Sequence, residues 1–212
     1  MAFTSDTFTG TAGTTLTAHT GETGASWTRH PNDAGAETFV ITDANRLRAN
    51  SAAGTGCQFY ASGVPSSPDY DVSFDLVVKS LITGDFIEVA GRCDTVAWTH
   101  YRVTWDEAGQ QFILVYRVNG SGANLATFSK LLVVGTTYAL TLRMRGSAIS
   151  VLLDGATIMS VTDTQVTAAG RVLVSTFAGV AAQTNTTGVH LDNLIAEVDA
   201  PRTDGKIVFR QA

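Results

Sequence analysis

The chain has 212 residues, 44% of them hydrophobic, and a formal net charge of −5 at pH 7. This length suits a single β-sandwich domain, and the apolar fraction supports a core that needs no disulfides or metals. Because the charge is acidic and dispersed, we do not expect nucleic-acid binding, which requires a basic surface.

The first residues, MAFTSDTF, provide neither the basic region nor the apolar region of a secretion signal. No apolar run approaches the roughly 18–20 residues that a membrane-spanning helix needs. We therefore expect a protein that is made in the cytoplasm and does not insert into membranes.

Residues 1–31, here called the N-terminal segment, carry too little apolar surface to fold alone. The stretch SDTFTGTAGTTLTAHTGETGASWTRHP is rich in Thr, Gly, Ala and Ser, with Phe8, Leu16 and Trp27 spaced widely apart. We expect these three side chains to dock into apolar hollows formed by the rest of the chain, sealing its edge.

Short runs of alternating apolar and polar residues follow and predict antiparallel strands with one buried face. The clearest runs lie within YDVSFDLVVKS, THYRVTW and YALTLRMRG. Asn119-Gly120 and Asp154-Gly155 stand where hairpins require tight turns. About a dozen such strands predict an all-β fold, an antiparallel sandwich of two sheets.

Two stretches of the chain differ in character. Residues 1–198 are expected to form the sandwich, with the N-terminal segment as part of it. Residues 199–212, DAPRTDGKIVFRQA, form a C-terminal extension that contains Pro201 and Gly205 before a short apolar run. The extension docks either on its own sandwich or on a neighbouring subunit, and the sequence leaves both open.

The two cysteines, Cys57 and Cys93, fall on the apolar side of their strands. Buried thiols in the core are the simplest interpretation. The sequence does not decide whether a disulfide joins them. The four histidines lack the spacing of metal ligands, and we expect them at turns or edges: His19, His30, His100 and His190.

Seven charged residues fall on the polar side of the central strands: Asp75, Glu88, Arg92, Arg102, Arg117, Arg143 and Arg145. They form either a ligand-binding face or a solvated face with cross-strand ion pairs. Because parity does not show which sheet each strand joins, both interpretations stay open.

The two ends of the chain resemble those of concanavalin A-like (laminin-G-like) jelly-roll domains found in bacteria and tailed phages. The matching residues are Asp6, Phe8, Gly13, Leu16, His19, Gly24 and Trp27 at the start, and the Asp192-Asn193 pair of VHLDNLIAEV at the end. The resemblance covers about residues 5–198. It implies a jelly roll whose first and last strands lie side by side.

The resemblance also implies two sites. Relatives bind sugars on the concave face of one sheet, which makes the seven charged residues candidates for glycan or anion binding. Related jelly rolls hold Ca²⁺ near the paired termini, so Asp6, Asp192 and Asn193 are candidates for a structural calcium site. Capping of turns is the alternative role for Asp6 and Asn193. No other cofactor is expected.

Glucanases that resemble this fold carry a Glu-x-Asp-x-x-Glu strand, whose carboxylates act as nucleophile and acid/base. The sequence lacks this spacing. Asp85 and Glu88, three residues apart in a strand, face opposite sides. We therefore expect no enzymatic activity.

The function that the resemblance implies is that of a phage virion structural protein, associated with the tail as a minor tail or adhesion protein. A capsid decoration protein and a bacterial carbohydrate-binding module are the alternatives. The expected partners are other virion proteins, further copies of the chain and a cell-surface glycan, and the expected location is the virion. The host, the glycan and the copy number stay open.

If the C-terminal extension is an assembly element, the full chain will be a homo-oligomer, and a chain ending at Val198 will be a folded monomer. Light scattering measures the solution mass of both. Monomers in both cases would exclude self-assembly through the extension.

Overall fold

The computed structural model describes residues 1–33, 35, 38–50, 52 and 54–198. The predicted C-terminal extension, residues 199–212, lies outside the described residues, so its role stays a prediction. The described residues contain no candidate membrane-spanning helix.

Fifteen strands and one short 3₁₀ turn, Leu16–Ala18, make up the regular structure of the described residues. The strands are β1 (Ala2–Asp6), β2 (Trp27–Arg29), β3 (Thr38–Ile41), β4 (Leu47–Asn50), β5 (Gly56–Ala61), β6 (Tyr70–Val78), β7 (Phe86–Cys93), β8 (His100–Asp106), β9 (Gln111–Val118), β10 (Ser121–Ser129), β11 (Thr137–Arg145), β12 (Ala148–Leu153), β13 (Ala156–Thr162), β14 (Arg171–Phe177) and β15 (Val189–Val198).

These strands form two antiparallel sheets, which confirms the predicted all-β sandwich. One sheet has eight strands in the order β13-β12-β11-β6-β15-β4-β3, with β1 paired to β15. The other has seven strands in the order β10-β9-β8-β7-β14-β5-β2. On one side of β15, β4 pairs at Leu191 and β1 pairs at Leu194, so both short strands share one edge.

The core lies between the sheets, because each strand offers one apolar face. On β6, Tyr70, Val72 and Phe74 are buried, and they alternate with half-buried polar residues. The facing sheet contributes Tyr101 and Trp105, which are among the largest fully buried side chains.

Two predicted turns have the expected geometry. Asn119 and Gly120, between β9 and β10, have φ angles of 51° and 82°, and Asp154 and Gly155, between β12 and β13, have 50° and 81°. Positive φ at both central residues is the geometry of a type I′ turn, which matches the twist of the flanking strands.

The N-terminal segment is an integral part of both sheets. Phe8 and Leu16 are 0% exposed and Trp27 is 4% exposed, and all three belong to the main core. As the resemblance implies, β1 pairs with the last strand, and Asp6 lies opposite Leu194. In the other sheet, β2 pairs with β5.

A buried carboxylate organises this segment. Asp6 is 1% exposed. Its Oδ1 accepts hydrogen bonds from the Phe8 amide at 2.7 Å and from His19 Nε2 at 2.8 Å, and its Oδ2 accepts one from Trp27 Nε1 at 2.8 Å. One side chain therefore joins three parts of the segment that are far apart in sequence.

Three strands have no clear signal in the sequence: β1, β2 and β4. They span only three to five residues, too few to show a convincing alternation. Pairing rather than local propensity makes them strands. β1 pairs with β15 and β2 with β5, and β4 pairs with the preceding β3 as well as with the distant β15.

Both cysteines are buried as thiols, as predicted. Cys57 lies in the main core, but Cys93 does not, which corrects the prediction that both face it. Cys93 packs with Ala90 and Leu173 in a separate small cluster. The physical reason is an irregularity at Arg92, where φ is 52° and the register with β14 shifts, so the alternation of faces breaks.

We expect Asp6→Ala to lower the free energy of unfolding by about 3 kcal/mol, because it leaves buried donors on Trp27 and His19 without an acceptor. Urea unfolding measures this loss. Asp43→Ala removes an exposed carboxylate and should change stability by less than about 0.5 kcal/mol. Equal effects of the two substitutions would contradict the role assigned to Asp6.

Candidate functional site

The outer face of the seven-stranded sheet carries a pocket with a volume of about 260 Å³. Its walls come from β5, β7, β8, β9 and β14, together with Asp33 and Trp98 from two loops. The pocket lies on the polar side of these strands, opposite to the core.

A row of four polar side chains crosses this face of the sheet, and all of them except Thr104 line the pocket. Gln58, Ser175, Glu88 and Thr104 stand directly opposite one another on β5, β14, β7 and β8. Side chains at paired positions lie within reach of one another. Neighbouring strands thus bring together residues from four distant parts of the sequence.

Glu88 holds an arginine in place on this face of the sheet. Its side chain is 4% exposed. Arg102 Nη1 donates to Oε2 at 2.9 Å, and Thr104 Oγ1 donates to Oε1 at 3.1 Å. Because both carboxylate oxygens are engaged, Glu88 balances the charge of Arg102 and fixes its position.

A second arginine lies against an aromatic ring. The guanidinium carbon of Arg117 is 4.4 Å from the ring centroid of Trp98, which is a cation–π contact. Arg117 Nη1 also donates to the carbonyl of Gly120 at 2.7 Å. The tight turn after β9 therefore supplies the acceptor that orients Arg117.

Two phenylalanines form an apolar wall of the pocket. Phe86 and Phe177 lie opposite each other on β7 and β14, with ring centroids 5.1 Å apart and an interplanar angle of 9°. Both rings are half-buried, as is Trp98. The pocket thus combines exposed aromatic surface with hydrogen-bonding side chains, the usual composition of a small-ligand site.

Several polar atoms around the pocket are buried without a protein partner. In the described part of the chain, these atoms include Trp98 Nε1, Arg102 Nε, Arg117 Nε and both ring nitrogens of His100. Buried polar groups are normally hydrogen-bonded, so a cluster of unsatisfied ones calls for a functional or solvent partner.

His100 lies directly opposite Arg117 and is wholly buried. The sequence interpretation placed it at a turn or edge, but it begins β8 inside the seven-stranded sheet. Burial lowers its pKa to about 3, and the charges of Arg102 and Arg117 act in the same direction. The ring is therefore neutral near pH 7.

Of the seven charged candidates, the structure brings together Glu88, Arg102 and Arg117 in this pocket. Three others lie on β6 and β11 of the opposite sheet: Asp75, Arg143 and Arg145. There, Asp71 pairs with Arg143 and Arg145, each at 2.9 Å. These contacts fit a solvated face with cross-strand ion pairs.

Arg92 does not point away from the core, which corrects the prediction from parity. It is 2% exposed. Its guanidinium group donates to the carbonyls of Pro68, Val166 and Gly146 at 2.7 to 3.0 Å. The irregular backbone at this residue turns its side chain inward, where it ties three loops together.

The three calcium candidates do not converge. The oxygens of Asp6 accept hydrogen bonds within the N-terminal segment. Asp192 faces Arg46 at 3.5 Å, and Asn193 Nδ2 donates to Asp75 Oδ2 at 2.8 Å. No group of three or more His, Cys, Asp or Glu side chains that could hold a metal occurs among the described residues.

Sequence reasoning missed the aromatic part of the site. Phe86 shares the polar parity of Glu88 on β7, and an aromatic residue on that side was the available signal. Trp98 lies in a loop, where alternation gives no information. Phe177 ends β14, whose place between β7 and β5 depends on long-range pairing.

No protein-family model and no curated protein matches this sequence. Solved structures match it in fold. The carbohydrate-binding module CBM66 from Bacillus subtilis has a TM-score of 0.63 and 16% identity, covering 81% of this chain and 94% of that one.

Two further structures are similar over much of their length. The β-glucanase of Bacillus licheniformis has a TM-score of 0.61 and 12% identity, covering 91% of this chain and 100% of that one. The exoplasmic/lumenal domain of VIP36, in its Ca²⁺/Man-bound form, has a TM-score of 0.60 and 10% identity, covering 81% and 82%. At such identities the likeness concerns the fold alone, and the chain has the concanavalin A-like jelly-roll fold.

Folding stability should fall as the pH drops below the ordinary His pKa of 6.5, because His100 has a lower pKa of about 3 when folded. Between pH 6.5 and about pH 3, the unfolded chain binds a proton at His100 that the folded chain does not. The free energy of unfolding therefore falls by about 1.4 kcal/mol per pH unit within this range. Urea unfolding at pH 7, 6 and 5 measures the slope.

The variants His100→Leu and His100→Phe should show a shallower slope, because they lack the group that the unfolded state protonates. Unchanged slopes in both variants would show that His100 does not carry this pH dependence.

Proposed function

We propose that this protein is a carbohydrate-binding domain, and that the pocket on the outer face of its seven-stranded sheet is the binding site. The observation that carries the proposal is the meeting of Trp98, Arg102, Arg117 and Glu88 in one pocket. A sugar presents hydroxyl groups around an apolar ring face, and this pocket offers partners for both.

The size of the pocket supports a small ligand. Its volume of about 260 Å³ lies just below the range of about 300–1,000 Å³ typical of drug-sized ligands. Such a pocket suits one or two sugar rings at the end of a chain. The half-buried ring of Trp98 offers a surface for stacking, and Ser175 and Gln58 offer hydroxyl and amide groups.

The structural neighbours agree with this proposal at the level of fold. One of them is described as a carbohydrate-binding module and another was solved with Ca²⁺/Man bound. For the biochemical activity, this agreement supports the alternative, a bacterial carbohydrate-binding module, better than it supports the virion hypothesis.

We propose binding without hydrolysis, although one neighbour is a β-glucanase. Retaining and inverting glycosidases use a pair of carboxyl groups that flank the scissile bond. Among the described residues that line the pocket, the carboxylates are Glu88 and Asp33. Glu88 accepts hydrogen bonds from Arg102 and Thr104. Asp33 pairs with Arg29 and accepts a hydrogen bond from the backbone N–H of Gln58.

The narrower hypothesis of a phage tail or capsid decoration protein stays a prediction. It depends on assembly through residues 199–212, which lie outside the described residues. A carbohydrate-binding domain is compatible with that role, since the sequence interpretation already included contact with host glycans.

A glycan array with neutral and acidic saccharides tests the proposal. We expect the wild-type protein to bind at least one saccharide, and Trp98→Ala and Arg102→Gln to weaken this binding about ten-fold or more, because each removes a contact of the pocket. Arg143→Gln is the matched control, since it removes the same charge from the opposite sheet.

Thermal unfolding of each variant checks that the sandwich still folds. Binding that the pocket variants leave unchanged would place the site elsewhere, and binding to no saccharide at all would overturn the proposal. Bound oligosaccharides should be recovered at their original length. Shorter products that disappear with Glu88→Gln would indicate a hydrolase instead.

A further inference from the structure

We propose that the pocket selects saccharides that carry a carboxylate, with Arg117 as the residue that recognises the negative charge. This inference rests on the proposed carbohydrate-binding function and adds the chemical class of the ligand. It follows from how the charges around the pocket are paired.

The lining contains two arginines and two carboxylates, Glu88 and Asp33, but Asp33 is paired with an arginine that does not line the pocket. Arg102 Nη1 lies 2.9 Å from Glu88 Oε2, and Asp33 pairs with Arg29. Arg117 takes part in none of the ion pairs of the described residues. Once the two ion pairs are formed, one positive charge remains in the pocket, although the chain as a whole has a net charge of −5.

The contacts of Arg117 orient it without neutralising it. A cation–π contact with Trp98 and a single hydrogen bond to the Gly120 carbonyl fix one side of the guanidinium group. Its Nη2 makes no hydrogen bond to the described residues, and its Nε is buried without a partner. Burial and the nearby charge of Arg102 lower the pKa of Arg117, and the charge of Glu88 offsets this lowering only in part.

A carboxylate is a better partner for the guanidinium group of Arg117 than a hydroxyl group is. The guanidinium fork matches the two oxygens of a carboxylate, and charged hydrogen bonds are roughly twice as strong as neutral ones. A neutral sugar would cover Arg117 and remove water from it while leaving the charge unpaired, and this cost disfavours neutral ligands.

Arg102 supports the same preference from the adjacent strand. Val115 lies opposite Arg102 and Arg117 lies opposite His100, so the two arginines occupy diagonal positions on β8 and β9. His100 is neutral near pH 7, because its pKa is about 3, and does not compete for an anion. The two guanidinium groups and the half-buried Trp98 ring therefore frame one acidic sugar.

Matched probes separate charge from sugar shape. The first pair is oligogalacturonate and its methyl ester, and the second is sialyllactose and lactose. Isothermal titration calorimetry measures the affinity of the full chain for each probe at low and at physiological salt.

We expect one acidic probe to bind at least about ten-fold more tightly than its neutral partner, with the preference decreasing as salt rises. The pair that shows this preference distinguishes a uronic acid from a sialic acid. Arg117→Gln should abolish the preference, Arg117→Lys should retain part of it, and Arg143→Gln should leave it unchanged.

The outcomes separate this inference from the proposed function. Equal binding of acidic and neutral probes, or glycan-array binding to neutral saccharides alone, would overturn the acidic preference while leaving the carbohydrate-binding function in place. Binding to no saccharide in either experiment would overturn both. A preference that survives in Arg117→Gln would assign it to Arg102 and overturn the role of Arg117.

Discussion

The packing of two apolar sheet faces against each other is the constraint on which the other features of this protein depend. Each strand has a single apolar side, and burying it leaves the polar side outward. Glu88, Arg102 and Thr104 are therefore held on the outer face by core residues of the same strands, such as Val89 and Val103. A rigid sheet thus positions the pocket, while loops contribute Trp98 and Asp33 at its margin.

The N-terminal segment is part of this packing. Its large side chains fill the core, β1 extends one sheet and β2 extends the other. The buried carboxylate of Asp6 makes this arrangement specific, because it satisfies donors on His19 and Trp27 that would otherwise be buried without partners. The N-terminal segment is poor in apolar residues, but a few buried side chains and one shared hydrogen-bond acceptor hold it in place.

Contacts within the protein hold the arginines of the pocket in place. Arg102 is held by Glu88, and Arg117 is held by Trp98 and the Gly120 carbonyl. Side chains that are already fixed lose little conformational entropy on binding, so their contacts contribute more fully to affinity. The opposite sheet shows the contrast, since Asp71 there pairs with both Arg143 and Arg145. Each of these two arginines has a carboxylate within 4.0 Å, whereas Arg117 takes part in no ion pair of the described residues.

Local patterns in the sequence were enough to predict the all-β class, most strands and the two tight turns, because alternation and Asn-Gly or Asp-Gly pairs depend on neighbouring residues. They also identified Glu88, Arg102 and Arg117 as outward-facing. Two features could be seen only in the folded chain. These three residues share a pocket while Arg143 lies on the other sheet, and Arg92 turns inward at a backbone irregularity. The physical reason is that sheet pairing joins strands far apart in the chain, as β14 does between β7 and β5, and periodicity within one strand carries no information about its neighbours.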